Sequence, residues 1–387
     1  MQWVIKATKL CNLRCKYCYE WEHLSDSARM SEEVWTRALL AIREYSELAT
    51  ERFGYTIPID IIWHGGEPLL LPISYFESVI RLQSKILPAE WIEQRLVRNC
   101  LQTNLYSVSD SMLDLLKEHR FELGVSLDFR SGVRLTAGGQ ETEVRVKENL
   151  GRLRLRGIAF NLITVLAQHT ASHIENIFDE LKIFNTPSRL LPLFDGPASR
   201  PMEGVTIGRD DIHDAMMKMF ALWFDAGMSP VIDPFNECFK TIVLKRLNLK
   251  RPRQDRALLG SEVLVIDRHG NLSCVAFRES RRIGNIANTS IRDILKSSEY
   301  LSLVKEEAEI KDNVCSGCSY FGACDTSPIA RNFDSHALGD CPTEKYLIPR
   351  IEAYLDECGF FDTEFGEVAH SMKQAYLNQM MELAPVN

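Results

Sequence analysis

An α/β fold is expected for this chain: a partial barrel of six β/α units, followed by a small α+β domain. Three observations predict it. The first half alternates apolar, strand-like runs with amphipathic helical stretches. Those runs are apolar almost throughout, as in parallel strands covered by helices on both faces. Near residue 257 the texture changes to short strands, turns and clustered cysteines.

The strand-like runs are WVIKAT (3–8), IPIDIIWHG (57–65), RLVRNCLQTN (95–104), FELGVSLDF (121–129), GIAFNLITVL (157–166) and SRLLPLF (188–194). Helical periodicity falls between them at 31–52, with Ser31 as N-cap, and at 109–119, 143–155 and 172–183. Six units fall short of the eight of a closed barrel, so an open barrel is expected. Ligand sites of such sheets lie at the C-terminal ends of the strands. Residues 211–250 read as one or two helices, and 344–361 and 370–383 as helices near the end. The expected organisation is a barrel over 1–210, a helical linker over 211–256, a cysteine-bearing domain over 257–345 and C-terminal helices over 346–387. No internal repeat or low-complexity tract is evident.

Composition narrows the function classes. The chain has 387 residues, 45% hydrophobic and 25% charged, with a net charge of -8. That balance argues against non-specific nucleic-acid binding. One basic stretch, LKRLNLKRPRQDR (244–256), reads either as a solvated loop or as a dock for an acidic peptide. The opening MQWVIKATKL lacks a secretion-type apolar run, and no stretch reaches the roughly 18 apolar residues of a membrane span. A cytoplasmic protein without membrane partners is expected, its eleven cysteines reduced and available as metal ligands.

Cys11, Cys15 and Cys18 follow the first strand in C-x3-C-x2-C spacing. Zinc sites want four ligands, and disulfide frameworks want an even number. Three thiolates from one loop suit a [4Fe–4S] cubane with one iron left open for a ligand. CNLRCKYCY resembles the signature of the radical SAM superfamily, whose open iron holds S-adenosylmethionine. In that resemblance Tyr17 takes the aromatic place whose backbone meets the adenine. WHGGEP resembles the family's GGEP motif, which puts Gly65, Gly66 and Glu67 by the methionine amino group; glycine lets the backbone approach the ligand. QTN and VSLD resemble the third- and fourth-strand motifs, which imply Asn104 and Ser126 near the methionine carboxylate and ribose, with Asp128 close by.

Near the C-terminus, Cys315, Cys318, Cys324 and Cys341 have C-x2-C-x5-C…C spacing. Alone, this pattern also fits structural zinc. Beside the first motif it resembles the SPASM extension, whose cysteines hold auxiliary iron–sulfur clusters. Cys274 matches one ligand of a further auxiliary cluster, and Cys238 offers one more. The family's partner cysteine is absent from RALLG (256–260), and Pro328 stands where another is usual. Two thiolates do not hold a standard cubane, so that site is expected to be depleted. Cys100 and Cys358 read as core residues.

The resemblance implies a radical SAM oxidoreductase that generates a 5′-deoxyadenosyl radical and acts on a ribosomally made precursor peptide. A flavodoxin- or ferredoxin-type donor would supply electrons. A single complete auxiliary set looks most like the maturases that form cyclophane carbon–carbon crosslinks. The alternatives are thioether formation and sulfatase formylglycine maturation; sulfatase maturases carry an aspartate base where this chain has Val275. A non-catalytic iron–sulfur or zinc peptide-binding protein is the reading from a different class. Crosslinking needs a base, for which Asp195 in PLFDGPASRP is the first candidate and Glu237 the second. His64 abuts the GGEP motif and is expected to line the site wall.

Overall fold

A computed structural model describes residues 1–130, 132–193, 205–251, 263–274, 282–324, 341, 344–363, 365–368, 370–372 and 374. The chain divides into two compact units. The first comprises Met1–Val165, Arg200–Val205 and Ala257–Lys305; the second comprises Leu166–Ser199, Thr206–Arg256 and Glu306–Asn387. These limits cut across the boundaries expected from the sequence.

The strands are β1 (Gln2–Thr8), β2 (Ile59–Gly65), β3 (Val97–Thr103), β4 (Glu122–Ser126), β5 (Phe160–Leu166), β6 (Ser188–Pro192), β7 (Ile232–Asp233), β8 (Val263–Asp267), β9 (Asn271–Ser273) and β10 (Arg282–Asn285). All six expected strands are present. In the first unit, β1 to β5 run parallel in sequential order, the partial barrel-like sheet that the alternating β/α pattern implies.

β1 is central rather than an edge strand. Val4 lies opposite Ile62 on one side and opposite Val265 of β8 on the other, both in parallel register. From Trp3 to Thr8 every residue of β1 is buried. β8 explains the shifted boundary: its Leu264, Val265 and Ile266 are at most 3% exposed. An apolar strand of this kind needs a sheet edge to cover, and β1 supplies one. β9 and β10 continue antiparallel from β8.

Helices cover the sheet as their periodicity requires. Glu32–Phe53 buries Trp35, Leu39 and Ile42 on one face, and its N-cap Ser31 accepts a hydrogen bond from Val34 N at 3.2 Å. The helix Ile73–Ile86, not singled out from the sequence, buries Phe76, Val79 and Leu82. Trp63 of β2 is stacked on Phe76 at 4.6 Å and lies 4.8 Å from Trp35. Its indole N–H donates to Asn99 at 2.9 Å. This packing pins the end of β2 that carries His64, Gly65 and Gly66.

In the second unit β6 and β7 pair in parallel. The helices Ile174–Phe184, Arg209–Asp225, Phe235–Arg246 and Glu344–Glu357 surround an aromatic core of Phe220, Trp223 and Phe235. Among the described residues, no helix is long and apolar enough to cross a membrane.

Candidate active site

The loop after β1 carries Cys11, Cys15 and Cys18, all half-buried. Backbone hydrogen bonds hold it from three sides. Gly66 N donates to Thr8 O at 2.9 Å and Glu67 N to Leu10 O at 2.8 Å. Cys11 N donates to Leu24 O at 2.9 Å. Arg14 N and Lys16 N reach Leu135 O and Val133 O at 2.7 and 3.0 Å. Beneath the loop, Lys6 of β1 pairs with Glu20 at 2.9 Å and Lys9 with the same carboxylate at 3.4 Å.

The three thiols lie near enough to feel one another's charge. Each of Cys11 and Cys18 feels the charge of its neighbours, and burial pushes Cys11 up to about 12 and Cys18 to about 11. Burial raises Cys15 as well, and the Arg134 guanidinium opposes that rise. Three mutually repelling thiolates on a half-buried loop need a cationic centre to be stable together. Yet among the described residues no three Cys, His, Asp or Glu side chains close on a single ion. Three thiols from one short loop, in C-x3-C-x2-C spacing, are the donor set of a [4Fe–4S] cluster that leaves one iron open. Cys11 Sγ also accepts N–H groups from Leu13 N at 3.4 Å and Asn104 Nδ2 at 3.7 Å.

The glycine pair has a reason that the motif alone did not reveal. A Cβ on Gly65 would sit 2.0 Å from Thr8 O, and one on Gly66 would sit 2.3 Å from both Leu10 O and Lys9 O. Bare backbone is required here because β2 presses directly on the cysteine loop. Glu67, 1% exposed, ties the ends of β2 and β3 together: its carboxylate accepts from Leu69 N at 3.0 Å, Thr103 Oγ1 at 2.7 Å and Asn104 N at 2.7 Å. Beside the pair, Gly65 N donates to His64 Nδ1 at 2.7 Å, and desolvation lowers the imidazole to about 4.

Asn104 lies against the loop, its amide donating to Asn12 Oδ1 at 2.9 Å as well as to Cys11. Ser126, at the end of β4, accepts from Gln102 Nε2 at 2.9 Å. Tyr17 and Asp128 meet: the phenol donates to Asp128 Oδ2 at 2.5 Å. Arg134 completes the chain by donating to the Tyr17 hydroxyl at 2.7 Å. Asp128 is 1% exposed and Arg134 is 8% exposed. Arg134 was not foreseen. It stands in SGVRLTAGG, a stretch without periodicity or motif, and only its burial reveals it.

In the second unit, Cys318 N donates to Cys315 O and Cys324 N to Tyr320 O within the run Cys315–Cys324, each at 2.9 Å. Cys341, half-buried, lies 3.7 Å from Glu344 Oε2. The basic stretch is neither a solvated loop nor an open dock where it is described. Lys245 and Arg246 engage Glu352 at 2.7 and 2.6 Å, and Arg251 engages Glu237 at 3.0 Å. Glu237 also accepts from Lys240 at 2.8 Å, and these cations hold it below the usual carboxylate range against the opposing effect of burial. A carboxylate so paired is a weak base. Cys238 is buried in the helix Phe235–Arg246 at 2% exposure. Cys274 follows β9 and lies near enough to Tyr45 to add to the rise that burial imposes on that phenol. Cys100 is half-buried, whereas Cys358, expected in the core, is exposed. Asp195, Val275 and Pro328 lie outside the described residues.

Residues 5–181 match the family model of the radical SAM superfamily, and residues 259–319 match that of SPASM, an iron–sulfur cluster-binding domain. A cysteine-type anaerobic sulfatase-maturating enzyme of Clostridium perfringens is 22% identical over 334 residues, 82% of this chain and 85% of the relative. A serine-type anaerobic sulfatase-maturating enzyme of Klebsiella aerogenes is 29% identical over 221 residues, 55% of this chain and 51% of the relative. The solved structure of anSMEcpe with bound AdoMet and Cp18Cys peptide superposes with a TM-score of 0.72 at 19% identity, covering 96% of this chain and 99% of that one. Streptococcus suis SuiB bound to precursor peptide SuiA gives 0.58 at 12% identity, covering 89% and 75%. At such identities both structures speak for the fold.

Proposed function

Because the chain is a radical SAM enzyme, with a radical SAM domain followed by a SPASM domain, we propose that it matures a ribosomally made precursor peptide by a cyclophane-type carbon–carbon crosslink. The observation that supports the reading is the Cys11–Cys18 loop, whose three half-buried thiols feel one another's charge while Glu67 N and Asn104 Nδ2 donate onto the loop. Cys11, Cys15 and Cys18 would hold the cluster. Tyr17, Gly65, Gly66, Glu67, Asn104, Ser126 and Asp128 would form the wall against S-adenosylmethionine. Cys315, Cys318, Cys324 and Cys341 would hold one auxiliary centre. When bound, the cluster and S-adenosylmethionine supply a carbon-centred radical able to take hydrogen from unactivated carbon.

The chain's own part is to fix these groups and keep water out. The hydrogen bonds on Cys11 and the Arg134–Tyr17–Asp128 chain set the loop before any substrate arrives. A crosslinked aromatic ring must shed a proton. Asp195 is the base assigned to it, since Glu237 is neutralised by Lys240 and Arg251. An external flavodoxin- or ferredoxin-type protein would deliver the electrons.

Formylglycine formation is the second reading, favoured by likeness to sulfatase-maturating enzymes over most of the chain. Val275, in place of the expected aspartate base, speaks against it. The test is the intact mass of a precursor peptide encoded beside this gene, after co-expression with the enzyme. Loss of two hydrogens from a peptide free of cysteine, with no reaction toward a hydrazide, supports the crosslink; a hydrazone product establishes the aldehyde instead. If Cys15→Ala still released 5′-deoxyadenosine under dithionite, the cluster assignment itself would fall.

A further inference from the structure

The basic stretch after the helix Phe235–Arg246 is bound into the second cysteine run. Arg251 N donates to Gly322 O at 2.8 Å, and its Nε donates to Ala323 O at 2.8 Å. These carbonyls belong to the two residues before Cys324. The Lys250 stem lies against Gly322, where a Cβ would meet its Cγ and Cδ at 3.2 Å. At the other corner of the run, the Tyr320 hydroxyl donates to Glu352 at 2.6 Å, and Lys245 Nζ sits 4.5 Å from the Tyr320 ring centroid. Arg251 is in turn held by Glu237, the residue next to Cys238.

We propose that Arg251 is a positioning residue of the auxiliary iron–sulfur centre, holding Cys324 in place and, damped by Glu237, setting that centre's reduction potential. This rests on the reading that Cys315, Cys318, Cys324 and Cys341 hold such a centre. A cluster with four thiolate ligands is anionic, and gaining one electron adds one negative charge. A guanidinium bonded to the carbonyl of the residue before one ligand therefore favours the reduced form, and a carboxylate on that guanidinium opposes it. The two side chains should move the potential in opposite directions.

The experiment uses full-length chain carrying Cys11→Ala, Cys15→Ala and Cys18→Ala, so that only the auxiliary centre is loaded. Iron per chain is measured, and the reduced cluster is followed by electron paramagnetic resonance in a redox titration. Adding Arg251→Gln should shift the oxidised-to-reduced ratio at the parent's midpoint about tenfold toward oxidised, a fall of about 59 mV for a one-electron couple. Adding Glu237→Gln should shift the ratio the opposite way. Were Arg251 merely structural, both substitutions would lower the iron content and leave the midpoint of what remains unmoved. Midpoints that coincide with the parent's, or move in the same direction, overturn the proposal. If Arg251→Gln loads no iron, the upward shift in Glu237→Gln decides it. A parent variant without iron refutes the auxiliary centre itself, and this role with it, an outcome distinct from coinciding midpoints.

Discussion

Gly66→Ala should dislodge the cysteine loop. The added Cβ would lie 2.3 Å from the carbonyl oxygens of Lys9 and Leu10, whereas real Cβ contacts stay above 3.0 Å. The loop must therefore retreat by about 0.7 Å, the gap between those two distances. Both obstacles are backbone, so no side chain can swing aside. Retreat also stretches the bond from Glu67 N to Leu10 O, one residue from Cys11. Overpacking of this kind costs about 1–3 kcal/mol, and a weakened backbone hydrogen bond about 1 kcal/mol more. For a unit of this size that is a fall of about 5–10 °C in the thermal midpoint. The assay is anaerobic thermal unfolding of the apo-protein, followed by iron content and visible absorbance after reconstitution. Gly151→Ala is the control: it lies in the helix Glu143–Arg156 with nothing within 4 Å of the added Cβ, so it should stabilise by up to about 1 kcal/mol. A Gly66→Ala protein that melts with the wild type and binds the same iron would refute the claim that β2 bears directly on the loop.

Further outcomes follow from the same contacts. His64 is depressed to about 4 from 6.5, so the fold favours its neutral form. Stability should be complete above pH 6.5 and decline as pH falls toward 4, by at most about 3 kcal/mol. Urea titrations at several pH values should show this decline flattened in His64→Asn; an unchanged slope would clear His64 of the effect. Arg134→Met strands the buried Asp128 carboxylate and should destabilise the apo-protein by about 3 kcal/mol in urea, with Arg134→Met and Asp128→Asn together costing less than their sum. Asn104→Leu removes an N–H from Cys11 Sγ, and loss of a donor to a cluster sulfur lowers the reduction potential. Dithionite should then reduce a smaller fraction of the first cluster, read as spins per chain; equal spin counts would place that amide's influence elsewhere.

How much of this was legible beforehand depended on how far apart the partners lie in the chain. The six strands could be read because an apolar run of five to ten residues is a local property, set by which faces must be covered. The position of Cys11, Cys15 and Cys18 at a strand's C-terminal end followed from adjacency to WVIKAT. Gly65 and Gly66 were picked out by motif, yet the reason given, closeness to a ligand, omitted their contact with the carbonyls of Thr8 and Leu10. Arg134 carried no signal at all, being 117 positions from the tyrosine it holds. The basic stretch misled because Lys245, Arg246 and Arg251 look solvated until Glu352, Glu237 and the carbonyls of Gly322 and Ala323 are brought to them.

By itself, then, the amino-acid order determined the alternation of strands and helices and the two cysteine spacings, because periodicity and ligand spacing are properties of neighbours. Tertiary structure alone decided that β8 pairs with β1, that Asn104 donates to Cys11 and the Arg134 charge acts on Cys15, and that Arg251 grips the second cysteine run. Each of these is a contact between segments separated by tens to hundreds of residues, chosen by which edge, carboxylate or carbonyl was left to be satisfied once the local elements had formed.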